Sequence, residues 1–338
     1  MLEVLEAGLL TTVQDAGRPG WAHLGVPRGG AADPWSRRVA NELLGNEQDD
    51  AVLELTLAGV RLQALGPTVV ALAGADLGAR LDGGRLLLPG RVLTMAPGEG
   101  LVFEGGPPGA GARACLALPG GIDVPPVLGS RSTCLVGAFD GVEGRPLRAG
   151  DRVRARRTPS AENDAGMADA VWPADPMAPR HREPDGAWRL RVLLAPAELA
   201  AGQAVDTVIG RRWTVSSSSD RMGLRLDSTD GPPVEAPALS RLSHGVTAGA
   251  IQLPPDGRPV VLGVDHQPTG GYPIVAVVIA ADQPALGQLA PGDGVHFVAI
   301  GRAEARAALA ADRAAFDAAR RQLGADARWS ALWRSAGA

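Results

Sequence analysis

Lysine is absent from this 338-residue chain; every basic residue is arginine. That excludes a Schiff-base lysine, a Walker A lysine and any lysine able to carry covalent biotin. Cationic recognition falls to arginine, a rigid planar fork suited to carboxylate or phosphate. The motifs GxSxG, GxxxxGK[ST], HExxH and CxxC are missing too, which removes their hydrolase, nucleotide, zinc and redox readings. The five histidines (23, 181, 244, 266, 296) never fall at paired ligand spacing, so no metal site is expected. Only two cysteines occur, Cys115 and Cys134, both among apolar, strand-like neighbours; they read as buried structural thiols. No apolar run approaches the ~18 residues of a membrane span. No charged segment followed by a long apolar stretch marks a signal peptide, so a cytoplasmic location is expected. The formal net charge of −4 gives no pull towards nucleic acid or an anionic membrane.

What is abundant is turn-forming. The chain has 45 glycines and 28 prolines without a repeat, and it is 45% hydrophobic. This composition predicts many tight turns between short strands. The length predicts two domains. Short strands are expected over 2–13, 52–57, 68–73, 86–95, 100–104, 113–118 and 151–156, then over 188–194, 213–216, 222–227, 246–252, 259–264, 273–280 and 294–300.

One helix interrupts the first set, at 33–46. Asp33 suits the N-cap, Pro34 the first turn and Gly45 the end, and Trp35, Val39 and Leu43 form one apolar stripe. A short helix is expected around 199–209. The alanine-rich tail predicts a final helix of about 20 residues, with Leu309, Phe316 and Leu323 on one side and Trp329 and Trp333 beyond it. Residues 157–187, rich in Pro, Asp and Ala, read as a linker. The expected division is a β-barrel domain over 1–165, a linker or mobile excursion over 166–187, a second β-barrel over 188–301 and a helical tail over 302–338.

A local pattern recurs in "MAPGEGLVF" (95–103), "LRAGDRVRA" (147–155) and "LAPGDGVHF" (289–297). Each sets a carboxylate in a turn that feeds a strand, and that carboxylate is expected to bond turn amides.

Four polar stretches could carry chemistry. In "TTVQDAGRPGWAHLGVPRGGAADP" (11–34), glycines fold the backbone around Arg18 and His23, with Gln14 and Asp15 just before them. In "VLGSRSTCLVGAF" (127–139), Ser130, Arg131, Ser132 and Thr133 interrupt apolar surroundings; Arg131 among hydroxyls suits an oxyanion or carboxylate clamp, and a surface turn is the alternative. In "WTVSSSSDRMGLRL" (213–226), Asp220 and Arg221 read as a local ion pair in a loop. In the stretch 249–284, Gln252 and Asp265-His266-Gln267 stand at strand ends, before Thr269, Gly270, Gly271 and Tyr272, the sole tyrosine. Gly-Gly permits a close backbone approach, and an aromatic beside amides suits a small polar ligand.

These four stretches together resemble the family of allophanate hydrolase subunit 2-like proteins. It includes KipA-type proteins, the C subunit of bacterial 5-oxoprolinase and half of the carboxyltransferase domain of urea carboxylase. The resemblance covers about residues 9–300. It implies a mainly β fold of two cyclophilin-like β-barrel domains with a few short helices. It implies two partners: a KipI-like subunit, in a two-plus-two heterotetramer, and a separate LamB/YcsF-like subunit. It also implies ATP with Mg²⁺, used to activate a lactam such as 5-oxoproline.

The chain departs from the family pattern at Gly29, Ala32, His244, Pro268 and Ile274; at Ile274 a usual cation is lost.

On this reading Arg131, Asp265, His266 and Asp220 are the catalytic candidates. Arg18, His23, Ser132, Arg221, Gln252, Gln267, Thr269, Gly270, Gly271 and Tyr272 are the substrate- or nucleotide-binding candidates. Asp33, Asp220 and Asp265 are the carboxylates available to orient a base or hold Mg²⁺; Asp33 is more simply a helix cap. The stretch around Arg18 is expected to share a site with "VDHQPTGGYP". Two other functions compete: regulation by capture of a KipI-like kinase inhibitor, and carboxyl transfer from biotin carried on another protein.

Overall fold

The computed structural model describes residues 1–157, 170–175, 182–196, 204–228, 231–235 and 242–325. Two compact units are formed. The first takes Met1–Arg18, Gly29–Ala178 and Ala314–Ala338; the second takes Pro19–Arg28 and Pro179–Arg313.

The first unit contains β1 (Leu2–Ala7), β2 (Leu10–Gln14), α1 (Pro34–Leu43), β3 (Val52–Thr56), β4 (Val60–Ala64), β5 (Thr68–Gly74), β6 (Ala79–Leu81), β7 (Arg91–Met95), β8 (Gly100–Phe103), β9 (Arg113–Ala117) and β10 (Arg152–Val153). They make two five-stranded sheets, ordered β10-β1-β4-β8-β6 and β2-β3-β9-β5-β7. One apolar cluster, with Leu2, Val13, Leu55, Leu62 and Phe103, is shared by both sheets.

The run expected as one strand over 2–13 is two strands in different sheets. Gly8 breaks it at φ +65°, where a Cβ would lie 2.6 Å from the Ala58 carbonyl oxygen. Strand β5 is buried along its whole length. Val70 and Leu72 join the shared core, while Val69, Ala71 and Ala73 face a second cluster with Trp35, Val39 and Leu43 of α1. A strand covered on both faces reads as a continuous apolar run.

Helix α1 starts as its sequence dictates: the Asp33 carboxylate accepts the Ser36 N–H at 3.0 Å, and Pro34 opens the first turn. Residues 170–172, expected in the linker, are instead part of this unit. Val92 N–H donates to the Ala170 carbonyl at 3.2 Å and Trp172 N–H to that of Gly90 at 2.8 Å. The buried Trp172 ring meets Phe316. A tryptophan in a proline-rich stretch docks because burying so large an apolar surface offsets the entropy of ordering it.

The second unit contains β11 (Trp188–Leu194), α2 (Ala204–Gly210), β12 (Arg212–Val215), β13 (Gly223–Ser228), β14 (His244–Gly245), β15 (Ala250–Gln252), β16 (Val260–Leu262), β17 (Thr269–Gly270), β18 (Ile274–Val278), α3 (Gln283–Leu286), β19 (Gly294–Ala299) and the first part of α4 (Arg302–Ala325). Seven strands close as β11-β18-β15-β16-β13-β12-β19. Closure leaves no free sheet edge. Alternate residues fill the interior: Trp188, Leu190 and Val192 from β11, Leu224 and Leu226 from β13, Val295 and Phe297 from β19. Strands β14 and β17 form a separate two-stranded ladder.

Helix α4 buries Phe316, Ala319 and Leu323, while Leu309 is only half-buried. Arg38 of α1 stacks over the Phe316 ring at 3.8 Å and Arg320 pairs with Glu42 at 3.1 Å. Trp329, Trp333, His181 and the first part of the helix expected near 199 lie outside the described residues.

The recurring turn has one geometry in all three copies. Glu99 accepts the Ala96 N–H, Asp151 that of Arg148 and Asp293 that of Ala290, each at 2.9 Å. In each, the carboxylate satisfies a turn amide three residues before it.

Candidate functional site

In the first unit, Asp15 follows β2 directly and gathers the segment 130–133. Its carboxylate accepts the Gly17 N–H at 2.8 Å, the Ser130 hydroxyl at 2.6 Å, and the Arg131 N–H and Ser132 hydroxyl at 2.5 Å each. The Asp15 N–H donates back to Ser132 Oγ at 2.8 Å. The clamp expected at 130–133 therefore closes on a carboxylate of its own chain. The Arg131 guanidinium turns elsewhere, with Nε donating to the Val124 carbonyl at 3.0 Å.

Arg18, 1% exposed, donates from Nη2 to the Ser132 carbonyl at 2.5 Å and to Asp140 Oδ2 at 2.6 Å. Its guanidinium lies 5.0 Å from the centre of the Phe139 ring. Burial pushes the Asp140 carboxyl above its ordinary value, against the lowering effect of Arg18. His23 belongs to the second unit, on an exposed 3-10 turn (Ala22–Leu24), stacked 6.5 Å from Trp21.

In the second unit, Arg221 and Asp265 form a buried, two-pronged ion pair at 2.7 and 3.1 Å. The local pair expected between Asp220 and Arg221 does not form. Asp220 is exposed and accepts the Met222 and Gly223 amides at 2.8 and 3.2 Å, closing the β12–β13 turn. Arg221 is buried while its neighbour Asp220 is exposed.

His266, 8% exposed, follows directly. Its Nδ1 lies 2.6 Å from the Gln267 carbonyl oxygen. A carbonyl only accepts, so Nδ1 carries the hydrogen and Nε2 keeps its lone pair. Burial lowers the His266 pKa below its ordinary value; the Gln267 carbonyl and Asp265 act the other way more weakly.

Gln252, 2% exposed, sits at an irregularity of β15, and its Nε2 has no hydrogen-bond partner. It lies against Gly270, where a Cβ would come within 2.5 Å of Nε2. Across the β14–β17 ladder, Gly270 pairs with His244, whose buried Nε2 is also unpartnered. Gly271 is half-buried, and Gln267, Thr269 and Tyr272 are exposed nearby in the same loop. One loop of this unit thus carries His266, the Gly270-Gly271 pair and Tyr272, and the Gln252 amide lies against Gly270.

Several of these residues are not among the sequence candidates. Asp140 lies in a loop with no motif of its own. Asp15 stands in a polar stretch that the sequence marks, but only the fold shows it as the hub. His244 stands out only as a departure from the family pattern. The three carboxylates expected near Mg²⁺ are all engaged elsewhere: Asp33 at the α1 cap, Asp220 at its turn and Asp265 with Arg221. Among the described residues no three His, Cys, Asp or Glu gather as a metal-ligating set. The described residues therefore do not fit an all-protein Mg²⁺ cage.

Comparison with known proteins accords with this architecture. A family described as "Carboxyltransferase domain, subdomain A and B" matches residues 24–299. The chain is 37% identical over 307 residues to the C subunit of 5-oxoprolinase from Escherichia coli (strain K12), covering 90% of this chain and 93% of that protein. It is 32% identical over 318 residues to urea amidolyase of Lachancea kluyveri, of which it spans 17%. Among solved structures, TTHA0988 superposes with a TM-score of 0.75 at 36% identity, over 88% of this chain and 56% of that one. The Kluyveromyces lactis urea carboxylase gives 0.78 at 28% identity, over 94% of this chain and 29% of that one. The chain therefore belongs to the carboxyltransferase domain, subdomain A and B, family.

Proposed function

We propose that the chain is the C subunit of an ATP-dependent 5-oxoprolinase-type hydrolase, acting in the cytoplasm. Its partners would be a KipI-like subunit, in a heterotetramer, and a LamB/YcsF-like subunit. The observation that carries this reading is the likeness to the 5-oxoprolinase C subunit along 93% of that protein. The second unit supports it chemically. A lactam presents one carbonyl acceptor and one N–H donor. The free Gln252 amide suits the carbonyl. The unprotonated Nε2 of His266 suits the proton of a ring nitrogen or an attacking water.

The Ser130 and Ser132 hydroxyls and the Arg131 N–H are engaged with Asp15, so we assign ATP and Mg²⁺ to the assembled enzyme and not to that segment. The reading is tested by co-expression with the KipI-like and LamB/YcsF-like candidates, followed by ATP hydrolysis with and without 5-oxoproline. Stimulation by 5-oxoproline is expected; none in the complete assembly would overturn the proposal.

The likeness to urea amidolyase and urea carboxylase favours a second reading, carboxyl transfer. Biotin would then ride on another protein, because this chain has no lysine. Loss of activity on adding avidin would select that reading.

A further inference from the structure

In the first unit the segment 134–146 lies over Arg18 as a strap. Both its ends are tied to β2, through Thr133 N–H to Val13 O and Leu147 N–H to Thr11 O, each at 2.8 Å. Between those ends the backbone bonds itself: Cys134 N–H to Phe139 O at 3.0 Å, Gly144 N–H to Asp140 O at 2.7 Å and Arg145 N–H to Val142 O at 3.3 Å. Side chains hold the middle down. The Phe139 ring centre lies 5.0 Å from the Arg18 guanidinium, and Asp140 Oδ2 accepts from Arg18 Nη2 at 2.6 Å. Three non-glycine residues of the strap are left-handed: Ala138 (φ +51°), Asp140 (φ +70°) and Glu143 (φ +56°). Such a backbone persists only where its surroundings hold it, so closure leans on the anchors at Phe139 and Asp140.

The anchor at Asp140 is short of positive charge. The Arg18 and Asp140 side chains are both 0% exposed. Two carboxylates, Asp140 and Asp15, stand here against the one Arg18 guanidinium. The Arg131 guanidinium is turned to the Val124 carbonyl. Glu143 and Arg145 of the strap pair with each other, and with Arg148 and Asp151 respectively.

The two carboxylates differ in their support. Asp15 spreads its charge over the Gly17 and Arg131 amides and the Ser130 and Ser132 hydroxyls. Asp140 takes its hydrogen bond from one arm of Arg18, which that arm shares with the Ser132 carbonyl, and the buried Asp140 Oδ1 has no partner. A buried carboxylate with few donors favours its protonated form. Burial accordingly pushes the Asp140 carboxyl above its ordinary value against the pull of Arg18; Asp15 adds to the rise and the Val127 amide opposes it.

We propose that the strap 134–146 closes on a proton: uptake at Asp140 tightens it over Arg18, and ionisation of Asp140 loosens it. In an open strap the carboxyl stands in water and titrates at its ordinary value of about 3.9. The closed strap holds the proton more firmly than the open one. Closure is therefore strongest below about 3.9 and weakens as pH rises through the higher closed-state value. A plain ion-pair clamp has the opposite slope, because protonation would remove its attraction. Opening uncovers Arg18, so pH sets the exposure of a guanidinium that is otherwise buried. The device belongs to the first unit alone and stands whether or not the lactamase reading holds.

The test is hydrogen exchange of the purified full chain at pH 4.5 and pH 7. Protection factors are corrected for the intrinsic pH dependence of amide exchange, and β5 reports global opening. Relative to β5, amides of 134–146 are expected to be at least about threefold better protected at pH 4.5; one linked proton allows up to about tenfold per pH unit. Asp140→Asn removes the charge and suits a left-handed backbone, and is expected to abolish this pH response. Equal or lower protection of the strap at pH 4.5 in the unsubstituted chain would overturn the proposal. So would an Asp140→Asn chain that keeps the full response. The unsubstituted chain decides the matter where the variant folds poorly.

Discussion

Arg221 and Asp265, 44 residues apart in sequence, meet as a buried two-pronged ion pair, Nε to Oδ2 at 2.7 Å and Nη2 to Oδ1 at 3.1 Å. The Arg221 carbonyl also accepts the Asp265 N–H at 3.1 Å. The pair ties the β12–β13 turn to the loop that carries His266.

Removing one member of the pair strands the other as a buried charge. Asp265→Asn and Arg221→Met are each expected to lower unfolding stability by about 3–5 kcal/mol. Replacing both together is expected to cost less than the sum of the two. A double-mutant cycle in urea checks this; additive losses would show that the two side chains do not interact.

Burial of His266 predicts a pH dependence of stability with a definite sign. Burial lowers its folded pKa, so the unfolded chain binds a proton that the folded chain refuses. Stability from this group is full above the unfolded value of about 6.5 and declines as pH falls below it. The melting temperature of His266→Gln should therefore fall less between pH 7 and pH 5 than that of the unsubstituted protein. Parallel curves would remove the effect from His266.

A side chain at Gly270 is predicted to push the Gln252 amide aside. A Cβ there would come within 2.5 Å of Gln252 Nε2. Gly270→Ala should therefore displace the Gln252 amide and, under the proposed function, lower ATP-coupled turnover of 5-oxoproline at least tenfold in the assembled enzyme. Gly270→Ala with Gln252→Ser relieves the crowding and should recover stability, but not turnover. Recovery of both would show that Gln252 serves only packing.

The turn carboxylates should behave as structural groups. Asp293 accepts the Ala290 N–H at 2.9 Å and the Trp188 Nε1–H at 3.1 Å. Asp293→Ala is expected to cost about 1–3 kcal/mol, since it leaves a buried indole N–H unpaired. Chemical denaturation measures it; the assembled enzyme should keep its turnover at low temperature.

Much of the local structure is legible in the sequence because its causes are local. Asp33-Pro34 starts α1 by capping and fixed φ. The three Gly-Asp/Glu turns bond their own amides three residues away, and alternation within β11, β13 and β19 reports one buried face. The split between β1 and β2 is not legible, because what forbids a side chain at Gly8 is the Ala58 carbonyl, 50 residues further on. Trp172 reads as part of a linker for the same reason: Phe316, which it packs on, lies far along the chain.

By itself the sequence determined a mainly β chain rich in turns, without lysine chemistry, and the polar stretches from which a site would be drawn. Only the tertiary structure decided the partners. It closed the serines of 130–133 on Asp15, set Asp140 on Arg18 and turned Arg221 from its neighbour Asp220 to the distant Asp265. Composition and spacing restrict which groups a chain can offer. Which of them pair is settled by strand order and loop closure, because a buried charge is stable only beside the counter-charge that the fold delivers.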